Sequence, residues 1–310
     1  MPRFGKGKPM DVQAKGLLKC YLDLSSRHAA KQAQSVRGSR TTGKIHSLRT
    51  FEKYTACLKQ AGEWAKATHG LKHLDTLTPA QAQEYLHQRA AQGLSQKQLD
   101  ADRNALEFLT GKGHLERVKA LQERTLSGRA YTPAQVEAIT RHQDERNSLS
   151  TRLAYEAGLR GHELLTLRRG DEERPCGHRQ WRAERFLGRD GVRYIVTGKG
   201  GLKREVLLSR DTAQQLEVRR LEAPRQVTDR GIHYQQYYDL NGGNRWSASF
   251  SAASTRALGW STGAHGLRHA YAQERLEELQ RQRMNYYAAR EVLSQELGHF
   301  RGEVVETYLR

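Results

Sequence analysis

His265-Gly266-Leu267-Arg268-His269 opens the last forty-six residues of this 310-residue chain, and Leu297-Gly298-His299 followed by Tyr308 closes them. A histidine and an arginine three apart on a helix share one face, so His265 and Arg268 can present an imidazole and a guanidinium fork to the same anion. The spacing alone means little. His46-Ser47-Leu48-Arg49 and His114-Leu115-Glu116-Arg117 repeat it in a chain with 52 Lys plus Arg and 13 His, and an isolated pair of this kind is ordinarily a solvated helix face. Order and spacing separate the third copy from the other two. Ala157-Gly158-Leu159-Arg160-Gly161-His162-Glu163-Leu164-Leu165 lies upstream, a Gly198-Lys199-Gly200-Gly201 turn lies between, and Tyr308 follows nine residues after His299. Together they form a set of parts for attacking a phosphodiester.

That ordered set resembles the tyrosine recombinase (phage integrase) family from about Tyr131 to the C-terminus, with a weaker match before it. The resemblance implies a catalytic set of Arg160, Lys199, His265, Arg268, His299 and Tyr308, with Glu163 supporting the first arginine. Tyr308 is then the nucleophile, giving a 3′-phosphotyrosyl link and a free 5′-hydroxyl. Arg160 and Arg268 hold the non-bridging oxygens and His299 adds a hydrogen bond. Lys199 protonates the leaving oxygen, with Lys203 and Arg204 as alternative donors. His265 either accepts the tyrosine proton or orients the phosphate. A free phenol ionises only near pH 10, so the surrounding cations must favour the phenolate as it forms. No metal, nucleotide or other cofactor is required, because the covalent link stores the bond energy for rejoining.

Composition points to the same partner. A net charge of +18 and a sequence pI near 10.0 call for a polyanion. No apolar run of spanning length, signal peptide or bulky amphipathic end favours a membrane, so double-stranded DNA in the cytoplasm is expected. Cys20, Cys57 and Cys176 are odd in number, far apart and without a C-x-x-C pair, which indicates neither a disulfide framework nor a zinc site. Cys176-Gly177-His178 has no second pair to complete a metal site.

Along the chain, residues 1–44 read as a basic N-terminal arm. Residues 1–50 hold 11 Lys plus Arg against Asp11 and Asp23, half of the whole excess. The apolar positions Leu17, Leu18, Tyr21, Leu22 and Leu24 allow a helix over 11–34, and Ser35 to Gly43 reads as a flexible basic loop. Residues 45–125 read as a bundle of about four helices. Leu48, Phe51, Tyr54, Leu58, Ala61 and Ala65 recur at helical spacing, and Thr78-Pro79-Ala80-Gln81 and Ser95-Gln96-Lys97-Gln98 read as N-terminal caps. Arg124 to Ala130 is a linker, and Thr132-Pro133-Ala134-Gln135 opens a catalytic domain over 130–310. Its one β element is a hairpin of Tyr194-Ile195-Val196 and Glu205-Val206-Leu207-Leu208, with Trp181 to Leu187 as a possible third strand. Helices follow at Ser209 to Leu221, Trp246 to Leu258, His265 to Arg283 and Tyr286 to Leu297, while 224–245 is hard to read.

The fold class is therefore mainly α with a small antiparallel β-sheet in an α+β catalytic domain. The resemblance adds a two-domain DNA clamp, with the helical bundle as the core-binding domain. Two features depart from the family pattern. The chain ends soon after Tyr308, so tail exchange between subunits is absent or uses another segment, and Asp171 to Arg185 forms an enlarged approach to the sheet. The expected function is site-specific recombination, as the integrase of a mobile element working as a homotetramer on two recombination sites with accessory DNA-bending or directionality factors. A type IB topoisomerase-like enzyme and a non-catalytic DNA-binding protein of the same fold are the alternatives.

Overall fold

A threonine–proline pair starts a helix in each of two compact units. The computed structural model describes residues 8–24, 42–122 and 127–310. They fall into two compact units, Met1–Thr125 and Leu126–Arg310. The first contains α1 (Met10–Lys19), α2 (Leu48–His69), α3 (Pro79–Ala91) and α4 (Gln96–Thr110). The repeating positions Leu58, Ala61 and Ala65 of α2 are fully buried, in one core with Leu18, Leu74, Leu86 and Leu106.

Among the described residues the fourth α-helix of this bundle is α1, and none beyond α2, α3 and α4 lies within 45–125. Instead of spanning 11–34 inside an arm, α1 ends at Lys19, and its Met10, Ala14, Leu17 and Leu18 are core residues. Gln13 ties it down: Nε2 donates to the Lys8 carbonyl (2.8 Å) and Oε1 accepts the Leu74 N–H (2.9 Å). Leu22 then bridges Ile45. The rest of the expected arm, residues 1–7 and 25–41, lies outside the described residues and takes most of the expected Ser35–Gly43 loop with it. So do residues 124–126 of the expected linker.

Thr78 forms the full capping box with Gln81. Ser95 does not repeat it. Gln98 turns to the fully buried Asp102 (2.7 Å), which also takes Arg89 Nε (3.2 Å). A buried carboxylate needs donors more than a helix end open to water does.

In the second unit, Thr132 and Gln135 close a capping box on α5 (Pro133–Thr140), and Asp144 caps α6 (Glu145–Glu156) through the Asn147 N–H (2.8 Å). The strands β1 (Arg168–Arg169), β2 (Val192–Thr197) and β3 (Lys203–Leu208) pair antiparallel in that order, with Thr197 opposite Lys203 at the hairpin end. The third strand is thus Arg168–Arg169 and not 181–187. Phe186 has φ 66°, which an extended strand does not allow, and this stretch forms turns.

A second β element replaces part of the expected helix and irregular chain. After α7 (Arg210–Val218), the strands β4 (Arg220–Asp229) and β5 (Ile232–Tyr238) make a two-stranded ribbon. Its turn residues Arg230 and Gly231 are both left-handed (φ 49° and 73°), as a two-residue hairpin on twisted strands requires. Three further helices, α8 (Gly243–Leu258), α9 (His265–Arg281) and α10 (Tyr286–Glu296), complete the unit. One core joins Leu153, Leu164, Val196, Val206, Trp246, Phe250 and Leu267, and a second joins Tyr271, Leu276, Val292, Leu293, Leu297 and Tyr308. The fold is mainly helical with small antiparallel sheets. Among the described residues no helix is long and apolar enough to cross a membrane.

Because Leu18 is core rather than arm, Leu18→Ala should destabilise the first unit by about 2–4 kcal/mol, against roughly 0.5 kcal/mol or less for the neighbouring Lys19→Ala. Urea unfolding of the two variants measures this, and equal midpoints would mean that α1 is not docked.

Candidate active site

α6 runs out at Glu156, and the chain reverses through Gly158 (φ 57°). A Cβ on Gly158 would stand 2.7 Å from the Tyr271 ring, so only glycine allows α9 to pack this close. The reversal delivers Arg160 to the start of a short 3-10 turn, Glu163–Leu165. Glu163 grips Arg160 twice: Oε2 accepts its backbone N–H (2.9 Å) and Oε1 accepts Nη1 (2.7 Å). The carboxylate is fully buried and also receives Arg204 Nη2 (2.8 Å), with Arg268 Nη1 at 4.0 Å. Burial by itself would raise the Glu163 carboxyl, but Arg204, Arg160 and Arg268 outweigh it and hold the group well below the usual carboxylate range.

Arg268 lies one turn into α9 and is fully buried. Nη1 donates to the Gly158 carbonyl (2.5 Å), Nη2 to the Leu297 carbonyl and Nε to the Tyr308 hydroxyl (3.4 Å). His299 Nε2 lies 3.1 Å from Arg160 Nη2 and 3.0 Å from the Tyr308 hydroxyl. A guanidinium can only donate, so Nε2 is the accepting nitrogen and the ring proton sits on Nδ1. Tyr308 ends a 3-10 turn, Gly302–Tyr308, and is 6% exposed. Its ring packs among His265, His269 and His299 at centroid distances of 5.6, 5.1 and 5.7 Å. His265 stands on the same face of α9, where Gly266 lets the helix press on the preceding chain. A Cβ there would meet the Arg129 carbonyl oxygen at 2.4 Å.

Five of the six expected residues thus converge: Arg160, His265, Arg268, His299 and Tyr308. Lys199 stays at the exposed hairpin turn, with no hydrogen-bond or ion-pair partner among the described residues. The hairpin base is nevertheless tight against the cluster, since a Cβ on Gly198 would lie 2.9 Å from Glu163 Oε1. Of the alternative donors, Lys203 is paired with Glu173 (2.8 Å), and Arg204 is 1% exposed between two acceptors, which removes it as a proton donor. The motif reading gave no role to His269, although it lies four residues from His265 on one helix face. It also passed over Glu296, which directly precedes the Leu297-Gly298-His299 motif. Among the described residues no group of three or more His, Cys, Asp and Glu is arranged to hold a metal ion.

The fold has counterparts among solved structures. The chain is similar to the XerH site-specific recombinase bound to difH substrate in a pre-cleavage complex, at 14% identity and TM-score 0.56, covering 100% of this chain and 94% of that one. It is similar to the Tn1549 transposon integrase in complex with transposon right end DNA, at 16% identity and TM-score 0.52, covering 91% and 93%. The chain has the tyrosine recombinase fold. A lambda integrase dimer bound to a core site shares that fold at 16% identity and TM-score 0.50, covering 98% of this chain and 81% of that one. No family model and no curated protein matches the sequence.

Within the recombinase fold the histidines are held neutral. Burial, then Arg268, Arg160 and Arg204, push His299 down to about 3. His265 is pushed down by desolvation and by Arg268, although the residue as a whole is solvent-exposed and water screens part of that effect. His269, 1% exposed, falls to about 4 through burial, with Arg129 and Arg310 adding. A contact with the Tyr308 backbone pulls weakly the other way without satisfying the buried Nδ1. A histidine whose folded value lies below its unfolded value near 6.5 binds fewer protons when folded. Its stabilisation is therefore complete above about pH 6.5 and is lost as pH falls toward 4. The melting temperature should drop over that window, and His269→Asn should make the drop shallower. An unchanged slope in that variant would mean that His269 already titrates normally.

Proposed function

We propose that the chain is a site-specific tyrosine recombinase, the integrase of a mobile element, which cuts and rejoins double-stranded DNA through a 3′-phosphotyrosyl intermediate. The observation that carries this reading is the Tyr308 hydroxyl, 3.4 Å from Arg268 Nε and 3.0 Å from the neutral His299 Nε2, which also accepts Arg160 Nη2. A phenol in that position can lose its proton to an imidazole while cations stabilise both the phenolate and an incoming phosphate. The relatives of this fold solved as DNA complexes, XerH and the Tn1549 integrase, support the choice of substrate, as does the net charge of +18.

In the proposed reaction a phosphodiester enters along the open edge of Arg160. It takes the place of the Tyr308 hydroxyl at Arg268, and its negative charge offsets the repulsion by the arginines that, after burial, keeps the imidazoles unprotonated. As the Tyr308 hydroxyl passes its proton to one of these imidazoles, Oη attacks phosphorus. The bond to the 5′ oxygen breaks, its electron pair stays on that oxygen, and Lys199 supplies the proton. Arg160 and Arg268 neutralise the non-bridging oxygens, and Glu163 keeps Arg160 aimed. The free 5′-hydroxyl of a second duplex reverses the step, with a homotetramer pairing the two sites and accessory factors setting direction. The reading takes α1 together with residues 45–125 as the core-binding domain and 130–310 as the catalytic domain.

Two experiments test it on a nicked suicide duplex selected by binding from a randomised pool. Tyr308→Phe should abolish covalent capture while leaving the affinity for DNA within about threefold, since only one hydroxyl is lost; normal capture would move the nucleophile elsewhere, with Tyr286 and Tyr287 next in line. Lys199→Ala should cripple cleavage of ordinary DNA but spare a duplex with sulfur at the bridging 5′ position, because a thiolate leaves without a proton. Arg160→Ala should fail on both. Rescue of Lys203→Ala but not of Lys199→Ala would make Lys203 the acid.

A further inference from the structure

Arg204 stands on β3 of the hairpin whose turn holds Lys199, and its fork has two ends in use. Nη2 donates to Glu163 Oε2 (2.8 Å), the carboxylate that aims Arg160. Nη1 donates to the carbonyl of Glu296 (2.6 Å), three residues before His299. Glu296 is itself fixed: its carboxylate accepts Arg275 Nε (3.0 Å), the Tyr271 hydroxyl (2.8 Å) and the Phe186 N–H (2.8 Å). One planar group therefore touches the loop of Arg160, the hairpin of Lys199 and the segment that carries His299 toward Tyr308. The geometry is specific to a fork, since a lysine ammonium cannot span two acceptors in this fixed arrangement. It also has a cost. Arg204 Nε is buried without a partner, which a cation needed only to neutralise Glu163 would not have to tolerate.

We propose that Arg204 is a positioning residue that sets the mutual placement of Arg160, Lys199 and His299, so that losing its two-ended bridge slows strand cleavage without loosening the grip on DNA. The proposal rests on the strand-cleavage reading given above. It assigns Arg204 no contact with DNA and no proton to transfer. The Arg204 charge also contributes, after burial, Arg268 and Arg160, to holding His299 neutral, which gives the charge and the bridge separate signatures.

Arg204→Lys keeps the charge and loses one end of the bridge; Arg204→Met loses both. In the full-length protein, both variants should bind the selected duplex within about threefold of wild type. Single-turnover covalent capture should fall at least about thirtyfold in each. NMR titration of labelled histidines should find His299 near its wild-type value in the lysine variant and raised in the methionine variant, so that the rate follows the bridge while the titration follows the charge. Wild-type capture by Arg204→Lys would overturn the proposal, because charge alone would then suffice. So would joint loss of fold and DNA binding in both variants, because Arg204 would then hold the domain together rather than the site. If wild-type protein itself forms no covalent adduct, the strand-cleavage reading falls and the proposal with it, an outcome distinct from a lysine variant that matches an active wild type.

Discussion

Glu163 is an anion sealed from water, and an uncompensated carboxylate in that position would cost several kcal/mol. Three guanidinium groups gather around it, from the loop after α6, from β3 and from α9. None of these segments is close to another in sequence. The requirement to neutralise one charge therefore pulls together the parts of the chain that bear the candidate chemistry. Three guanidiniums against one carboxylate leave a local charge of +2, so the cluster remains short of anions after folding is complete. Burial first, and then the same surplus, keeps the neighbouring imidazoles unprotonated, and an anion that entered the cluster would raise their affinity for a proton.

Much of this was legible in the sequence because the chemistry is local. His265 and Arg268 share a face at helical spacing, and the Thr132–Gln135 box marks a helix start. Such features depend on a few adjacent residues. Even the hairpin that carries Lys199 could be read from two apolar runs around a glycine turn. What the sequence concealed depends on partners far along the chain. Nothing near Arg204 says that its fork will meet Glu163 and Glu296, and nothing near Gln98 says that Asp102 will need it more than the helix end does.

Two misreadings have simpler causes. The basic character of residues 1–44 hid α1, whose apolar face is short but complete and closes a core that three helices leave open. The β4–β5 ribbon was hidden by its composition: the arginines, glutamines and tyrosines of 220–238 dilute the apolar alternation, and the deciding feature is the left-handed pair Arg230–Gly231, which composition does not reveal. In both cases charge on the solvent side masked a pattern on the packed side.

The tight seating of Gly266 bears on how the His–x–x–Arg spacing should be used. The chain contains the spacing three times, and histidine and arginine cannot discriminate among the copies. The residue after the histidine can. Serine follows in one copy and leucine in another, whereas at 266 any side chain would drive into the Arg129 carbonyl and the Tyr131 ring. The information that singles out this site is thus held by an atom the protein lacks. A pattern that leaves that position open discards it, and one that requires glycine there keeps a single match in this chain.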